Sequence, residues 1–516
     1  MMNDDNIFVE ENFQNNGCVN MPKPEKTYSI PEIIFAFFSL AFGYLFIKIG
    51  LAGFLSAGAS LFFILFIISA SVIVKKCGII QSSKSRLLLI LSVVSSLYFT
   101  VSANMLLKVF NLMFVIILLA LWAFSLNNNG YKGANDSFAF AIIKSLFGEP
   151  FKSYGECYSA STSAFKKNQK GKNIKYIIIG LIIAIPVTFI AVSLLVSADG
   201  FFSNMMDKMF SNIGEKVFTN IIQFAFGIPL GFYIFGMIFS SIRNKNENKL
   251  DIEYCAFKRN TLKVFHPIII YSSVIPLCII YVMFFFSQIN YFVSAFMGTL
   301  PSEYSFSEYA RRGFFELFFV ALLNLGVIAC INLFCKNSEN DENSRPKALK
   351  FFTVLLSVFT LILISTALSK MIMYIQRYGL TNLRVYTTWF MILIVLIFVL
   401  IIIRQFKKIN IAKIGSIAFT AMFLVLCFSN VDSLIVKYNY NAYKNGYLNE
   451  FDTSIFYELS DDAVYEILSL TQNSDKKISN DAKNYFDENS YWNTFNDNDL
   501  RTFNISSYVR YLNLNK

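Results

Sequence analysis

The amino-acid sequence predicts an all-α integral membrane protein of about eleven transmembrane helices, followed by a small extracytoplasmic helical tail. Three observations carry this. Of 516 residues, 55% are hydrophobic and 15% charged, against about 25% charged in an average soluble domain. The apolar residues, with 57 Phe among them, collect in uncharged runs long enough to cross ~30 Å of hydrocarbon, which takes ~20 helical residues. Lys and Arg fall between those runs, and mostly in every second gap. This balance excludes a disordered chain, a collagen-like chain and an ordinary soluble enzyme of this length.

The elements follow in order. Residues 1–30 hold more acid than base and no apolar stretch, so they read as a disordered cytoplasmic tail rather than a signal peptide. The first two spans are expected at 31–49 and 54–74, turning at Gly50 and Gly53. The next are expected at 87–107, 109–130, 175–198, 217–241, 265–287, 314–335, 350–370, 384–404 and 411–430. The uncharged run from Val264 to Ser302 is too long for one span, and its end, QINYFVSAFMGTLPS, suits an interfacial or re-entrant piece. Two stretches are amphipathic at helical spacing: Phe201 to Ile213, and Phe138 to Phe147 around Lys144. Both read as connectors lying on the membrane surface. The tail, 431–516, is polar and rich in Asn, Asp and Tyr. Its segment IFYELSDDAVYEILSL, 455–470, has a helical period, and Ser460 is placed to cap the second half. A tail of this size is near the lower limit for independent stability. It is expected to pack on the outer loops.

Charge gives the orientation. The net charge is +11, but residues 1–430 carry +16 and the tail −5. With the N-terminus inside, the cytoplasmic segments hold 28 Lys and Arg and the outer connections 9. The positive-inside rule then predicts eleven spans in the inner (cytoplasmic) membrane, N-terminus cytoplasmic and C-terminus extracytoplasmic. The basic excess is topogenic, so no nucleic-acid partner is predicted. The first partner is the lipid bilayer. On this layout none of the eight Cys falls in an outer loop or the tail, which excludes an outer disulfide.

Motifs for catalysis are missing. The chain has no P-loop, no H-E-x-x-H, no G-x-S-x-G, no G-x-G-x-x-G and no C-x-x-C, and one histidine, His266, at a helix end. No metal or cofactor is predicted. The informative charges lie on the outer side. In SEYARRGFFEL, Glu308, Arg311, Arg312 and Glu316 recur three and four apart, a spacing for ion pairs along a helix. In KMIMYIQRYGLTNLRVYTTW, Lys370, Arg377 and Arg384 flank a break at Tyr378–Gly379, and Thr381 can cap the following helix. Asp199 of SADGFF ends the fifth span, and Asp432 of NVDSLIVKYN follows the last. A carboxylate at a membrane boundary is costly alone, so Glu316 or Glu308 is expected to pair with Arg384 or Arg377. This cluster is either a lock between helix ends or an outer pocket for an anionic headgroup, a peptide or an ion.

The stretches SADGFF, EYARRGFFEL, RYGLTNLRVYT, NVDSLIVKYN and LSDDAV resemble signatures of a family of bacterial multi-pass membrane proteins catalogued as a domain of unknown function (4173 / 4153 type). The resemblance covers roughly residues 30–470. It implies one coherent integral membrane unit and supplies no substrate, cofactor or catalytic residue. The residues themselves favour a non-enzymatic component with its polar site at the outer membrane face, concerned with transport, ligand handling, or envelope signalling beside an envelope protein. One alternative is an envelope enzyme acting on a lipid-linked or phosphate-bearing substrate, with Glu308, Glu316 or Asp199 as base and Arg311, Arg312, Arg377 or Arg384 holding phosphate. Another is a scaffold that recruits a partner through its tail.

Overall fold

The structure is a computed structural model. It describes residues 27–126, 138–164, 190–213, 215–243, 261–297, 314–336, 347–488 and 499–514, with single positions between 180 and 188. Among these the secondary structure is helical, and ten helices are long and apolar enough to cross a membrane. The protein is therefore an all-α multi-pass membrane protein.

The first four spanning helices are α1 (Ile30–Leu45), extended by a π-helical turn at Phe46–Leu51, α2 (Ala57–Lys76), α3 (Ser83–Val101) and α4 (Met105–Ser125). Their ends follow local chemistry. Pro31 and a Ser29–Glu32 capping box start α1, Ser82 caps α3, and the Asn104 side chain accepts from Leu107 N–H at the start of α4. The break between α3 and α4 therefore falls at Ser102–Asn104, not at Lys108. Lys108 is the single charge in that stretch, and reading the break from charge put it there. It instead lies inside α4.

A broken segment follows: α5 (Phe138–Ile143), a π-helical turn at Lys144–Gly148, α6 (Glu149–Lys152) and α7 (Glu156–Ser163). It wedges against α4 and α9. Pro150 touches Gly236 so closely that a Cβ there would lie 2.2 Å from the Pro150 carbonyl oxygen. Glu149 is buried, accepts from Ser240 Oγ and lies 3.5 Å from Lys144 Nζ. The expected fifth span, 175–198, lies outside the described residues except for single positions between 180 and 188 and its end, where 190–198 is helical. Then come α8 (Gly200–Ile213), the amphipathic stretch read from the sequence, and α9 (Glu215–Arg243).

The second half comprises α10 (Pro267–Met297), α11 (Phe314–Phe334), α12 (Lys347–Tyr378), α13 (Asn382–Phe406) and α14 (Ile411–Phe428). α10 runs as one helix to Met297, past the boundary expected at 287; no Gly or Pro interrupts Gln288 to Met297. The tail forms α15 (Val431–Lys444), α16 (Ile455–Glu458), a 3-10 turn at Asp461–Ala463, α17 (Val464–Leu470), α18 (Lys476–Glu488), a 3-10 turn at Leu500–Thr502, and α19 (Ile505–Leu514). The helical period over 455–470 is thus broken at Leu459–Ser460, where the backbone becomes extended.

Packing groups the described helices into three large cores, with a small fourth at Leu121, Phe124 and Ala141 between α4 and α5. One holds α1–α4, α7 and α9, with Phe42, Phe62, Phe66, Phe99, Trp122 and Phe235 at its centre. A second holds α10–α13, around Tyr281, Ala321, Leu356 and Phe398. The third joins them: α14 and the tail helices pack against Tyr98 of α3 and Leu107, Phe114 and Leu118 of α4. Outer faces are apolar as well; Leu61, Leu65, Ile68 and Val72 line the exposed side of α2, as expected of a helix in contact with lipid.

α1 and α9 cross antiparallel at small residues. Phe35 stacks on Phe235, Arg243 Nη2 donates to Thr27 O, and Gly43 meets Gly227 and Gly231. The tail lies over one end of the bundles. Ala57 N donates to Phe503 O, Arg501 Nη1 donates to Lys48 O, and Ser506 Oγ donates to Val101 O. The turns α1–α2, α3–α4 and α12–α13 and the end of α14 all meet this cap.

Candidate functional site

The polar centre of the molecule lies under that cap. It is built where three of the signature stretches converge on the α3–α4 turn. Asn430, in the left-handed conformation at φ +49°, ends α14 and caps α15. That sharp turn sets Asp432 inward, where it is 1% exposed. Its carboxylate accepts from Ser460 N–H at 3.0 Å, from Ser460 Oγ, and from Asn104 Nδ2 at 3.2 and 3.3 Å. Asn104 Nδ2 also donates to Tyr386 Oη at 2.9 Å, which brings α13 into the same network.

Two further acids of LSDDAV complete the junction. Asp462 accepts from Ser102 Oγ and, at 2.7 Å, from Ala103 N–H. Asp461 accepts from Ser507 Oγ and from Arg510 Nη1 at 2.6 Å, a salt bridge with both side chains buried. Lys108 is 2% exposed, donates to Ser56 Oγ at 3.2 Å, and is acted on electrostatically by Asp462 and Asp461. Asp461 and Asp462 thus face the two buried cations, while Asp432 is held by the neutral donors of Ser460 and Asn104. Burial pushes the Asp432 carboxyl up from the ordinary Asp value of 3.8. Ser460 and Asn104 pull it down through their hydrogen bonds, while the nearby Asp462 adds to the rise.

A second contact closes the cap on the other bundle. Gly379, at φ +75°, ends α12. Asn439 of α15 accepts from Leu380 N–H and donates to Leu380 O, at 2.6 and 2.9 Å. A Cβ on Gly379 would lie 2.6 Å from Asn439 Oδ1, so both the backbone angle and the contact require glycine.

The residues singled out from sequence fall as follows. Asp432 is at the centre. Asp199 is exposed and accepts from the N–H groups of Phe201 and Phe202 at 3.2 and 3.1 Å, capping α8. Glu308, Arg311 and Arg312 lie outside the described residues. Glu316, exposed at the start of α11, acts electrostatically on Lys370, which is buried in α12. Arg377 lies in the last turn of α12. Arg384 donates to the carbonyls of Tyr378 and Gly379 and sits 4.2 Å from the Tyr374 ring centre. It caps the end of α12, so the electrostatic partner the structure gives Glu316 is Lys370 rather than Arg384. Thr381 stands at the N-cap of α13 without a side-chain bond.

Reading by charge missed Ser102, Asn104, Asn439 and Arg510. The signal for Asn104 was a polar SAN triplet between two apolar runs, which is what a helix break with a cap requires. Among the described residues no group of three or more His, Cys, Asp or Glu is arranged to hold a metal ion.

The fold and junction define a class: a multi-pass helical membrane protein whose C-terminal helices are locked onto one end of its bundles by buried carboxylates. The chain belongs to the family described as Domain of unknown function (DUF4153), whose profile matches residues 88–470. That match opens in α3 and closes with α17, so it contains Asn104, Asp432 and Ser460 to Asp462. No curated protein and no solved structure matches the chain.

Proposed function

We propose that this protein is a non-enzymatic envelope component whose working surface is the tail-capped face, on the outer side of the cell membrane. In this reading the tail is a clasp that holds the two bundles in one arrangement and passes changes at the outer surface to them. One observation carries it: Asp432 of the tail bonds at once to the tail through Ser460 and to the membrane domain through Asn104, which itself bonds Tyr386 of the second bundle. The placement of the sequence-derived charges supports it. Asp199 and Arg384 act as helix caps, roles that hold structure rather than a phosphate.

Asp462→Ala combined with Asp432→Ala in the full-length protein tests the reading. Both carboxylates accept buried donors, and each donor left without a partner costs about 1–3 kcal/mol. The tail should become sensitive to protease near the Thr471–Gln472 turn, where Gln472 is exposed. Cells carrying only this variant should show the same phenotype as cells lacking the protein. A released tail with an unchanged phenotype would sink the proposal. The enzyme alternative predicts instead that Glu316→Gln abolishes function while the tail stays docked.

A further inference from the structure

The polar junction does not end at Lys108. On α3, Ser92 and Ser96 donate to carbonyls of their own helix, Leu88 O and Val93 O, both at 2.8 Å, the usual way a hydroxyl is satisfied in a membrane helix. Ser95, between them, does not. It is fully buried and its Oγ has no hydrogen-bond partner among the described residues. Asn111 faces it from α4, one turn below Lys108, and is also fully buried. Its Nδ2 donates to Ser95 O at 2.8 Å. That bond fixes the amide, because a flip would set oxygen against oxygen. Asn111 Oδ1 is then left without a partner.

An orphan hydroxyl and an orphan amide oxygen thus belong to two buried residues that are themselves joined by a hydrogen bond. The neighbouring contact between α2 and α3 is polar too: Ser60 Oγ donates to Ser96 O at 2.6 Å and Thr100 Oγ1 to Ser60 Oγ at 2.7 Å. The two orphan groups are neutral. One only accepts and the other does either, which suits a small molecule that both donates and accepts. We propose that the α3–α4 seam binds an internal water, donating to Asn111 Oδ1 and hydrogen-bonded to Ser95 Oγ, beneath the clasp. Buried polar groups are commonly satisfied in this way, by a water with two to four partners. The second bundle provides the contrast. Asn324 is equally buried, but its Oδ1 accepts from Tyr281 Oη at 2.6 Å and its Nδ2 donates to Thr360 Oγ1 at 2.9 Å. The protein supplies partners for both ends of that amide by itself.

Water-edited solid-state NMR on the labelled full-length protein in lipid bilayers tests this. Magnetisation should pass from water to the Asn111 side-chain amide several-fold faster than to that of Asn324. Equal rates would overturn the site. Ser95→Ala leaves the Ser95 carbonyl, and so the Asn111 bond, in place. It should slow transfer to Asn111 by about two-fold or more, with the Asn324 signals unmoved as the sign of an intact fold. Unchanged transfer would show that Ser95 Oγ holds no water there, and would also overturn the proposal.

Discussion

Asp432 is the residue on which the clasp turns, and its surroundings oppose one another. Burial and Asp462 favour the protonated acid; the donors from Ser460 and Asn104 favour the carboxylate. Burial is the largest influence, so the docked carboxyl holds its proton more tightly than the same group free in water. A docked tail then binds more protons than a released one. Asp432's contribution to docking is fully present below the ordinary value of 3.8 and is lost as pH rises through the raised folded value. Protease protection of the tail in proteoliposomes, followed between about pH 4 and pH 7, should therefore weaken as pH rises. Asp432→Asn keeps an acceptor for Ser460 and removes the titration, so its protection should be flat in pH. Asp432→Leu leaves the Ser460 and Asn104 donors buried without an acceptor, at about 1–3 kcal/mol each, and should release the tail throughout. A wild-type profile that strengthens with pH would overturn this account.

At the scale of elements, close approach is achieved by glycine. A Cβ on Gly43 would lie 2.1 Å from Gly227 O, and one on Gly231 2.8 Å from the Leu40 Cα. These are backbone atoms that cannot turn aside. Gly231→Ala should force α1 and α9 apart and lower stability in detergent by about 1–3 kcal/mol, the usual cost of overpacking. Gly326→Ala in α11 meets nothing within 4 Å and should be neutral or slightly stabilising, because Ala is the better helix former. Equal melting temperatures for the two variants would contradict the crossing. These contacts were not legible in the sequence, where Gly227 and Gly231 were only two glycines in an apolar run. The spans themselves were legible, because an uncharged run of sufficient length has few other uses. Their ends were less so. Charge marks a boundary only where the charge is solvated, and Lys108 is buried against Ser56 instead. The same limit applied to the site. Asp432 was visible as an acid after the last span, but Asn104 and Asn439 carry no charge, and their importance comes from contacts 282 and 328 residues away for Asn104 and 59 for Asn439.

At the scale of the molecule, the tail gives the helices a common reference end. α1 ends there, at Lys48 and Gly53 beside Arg501. α4 begins there, at Asn104, and so ends on the opposite side. α9 runs antiparallel to α1, from Asn220 near Tyr44 to Arg243 near Thr27, so it begins at the tail end. Between Ser125 and Glu215 the chain must therefore pass from the far end to the tail end. The segment α5–α7 does not make that passage, since its Lys144 sits over Phe124 and its Glu149 bonds Ser240, both at the far end. We propose that the apolar run Tyr176–Ala198 makes that passage, as an eleventh span beside the ten helices that are long and apolar enough to cross a membrane among the described residues. The same count follows from charge, in which Lys and Arg gather on alternate sides. In a cysteine-free background, Ala164→Cys and Phe201→Cys, both at exposed positions, should react with an impermeant maleimide from opposite faces of the membrane. Phe201→Cys and Tyr447→Cys should react from the same face, the outer one. Labelling of positions 164 and 201 from one face would remove the fifth crossing, break the alternation on which the orientation rests, and move the clasp to the cytoplasm.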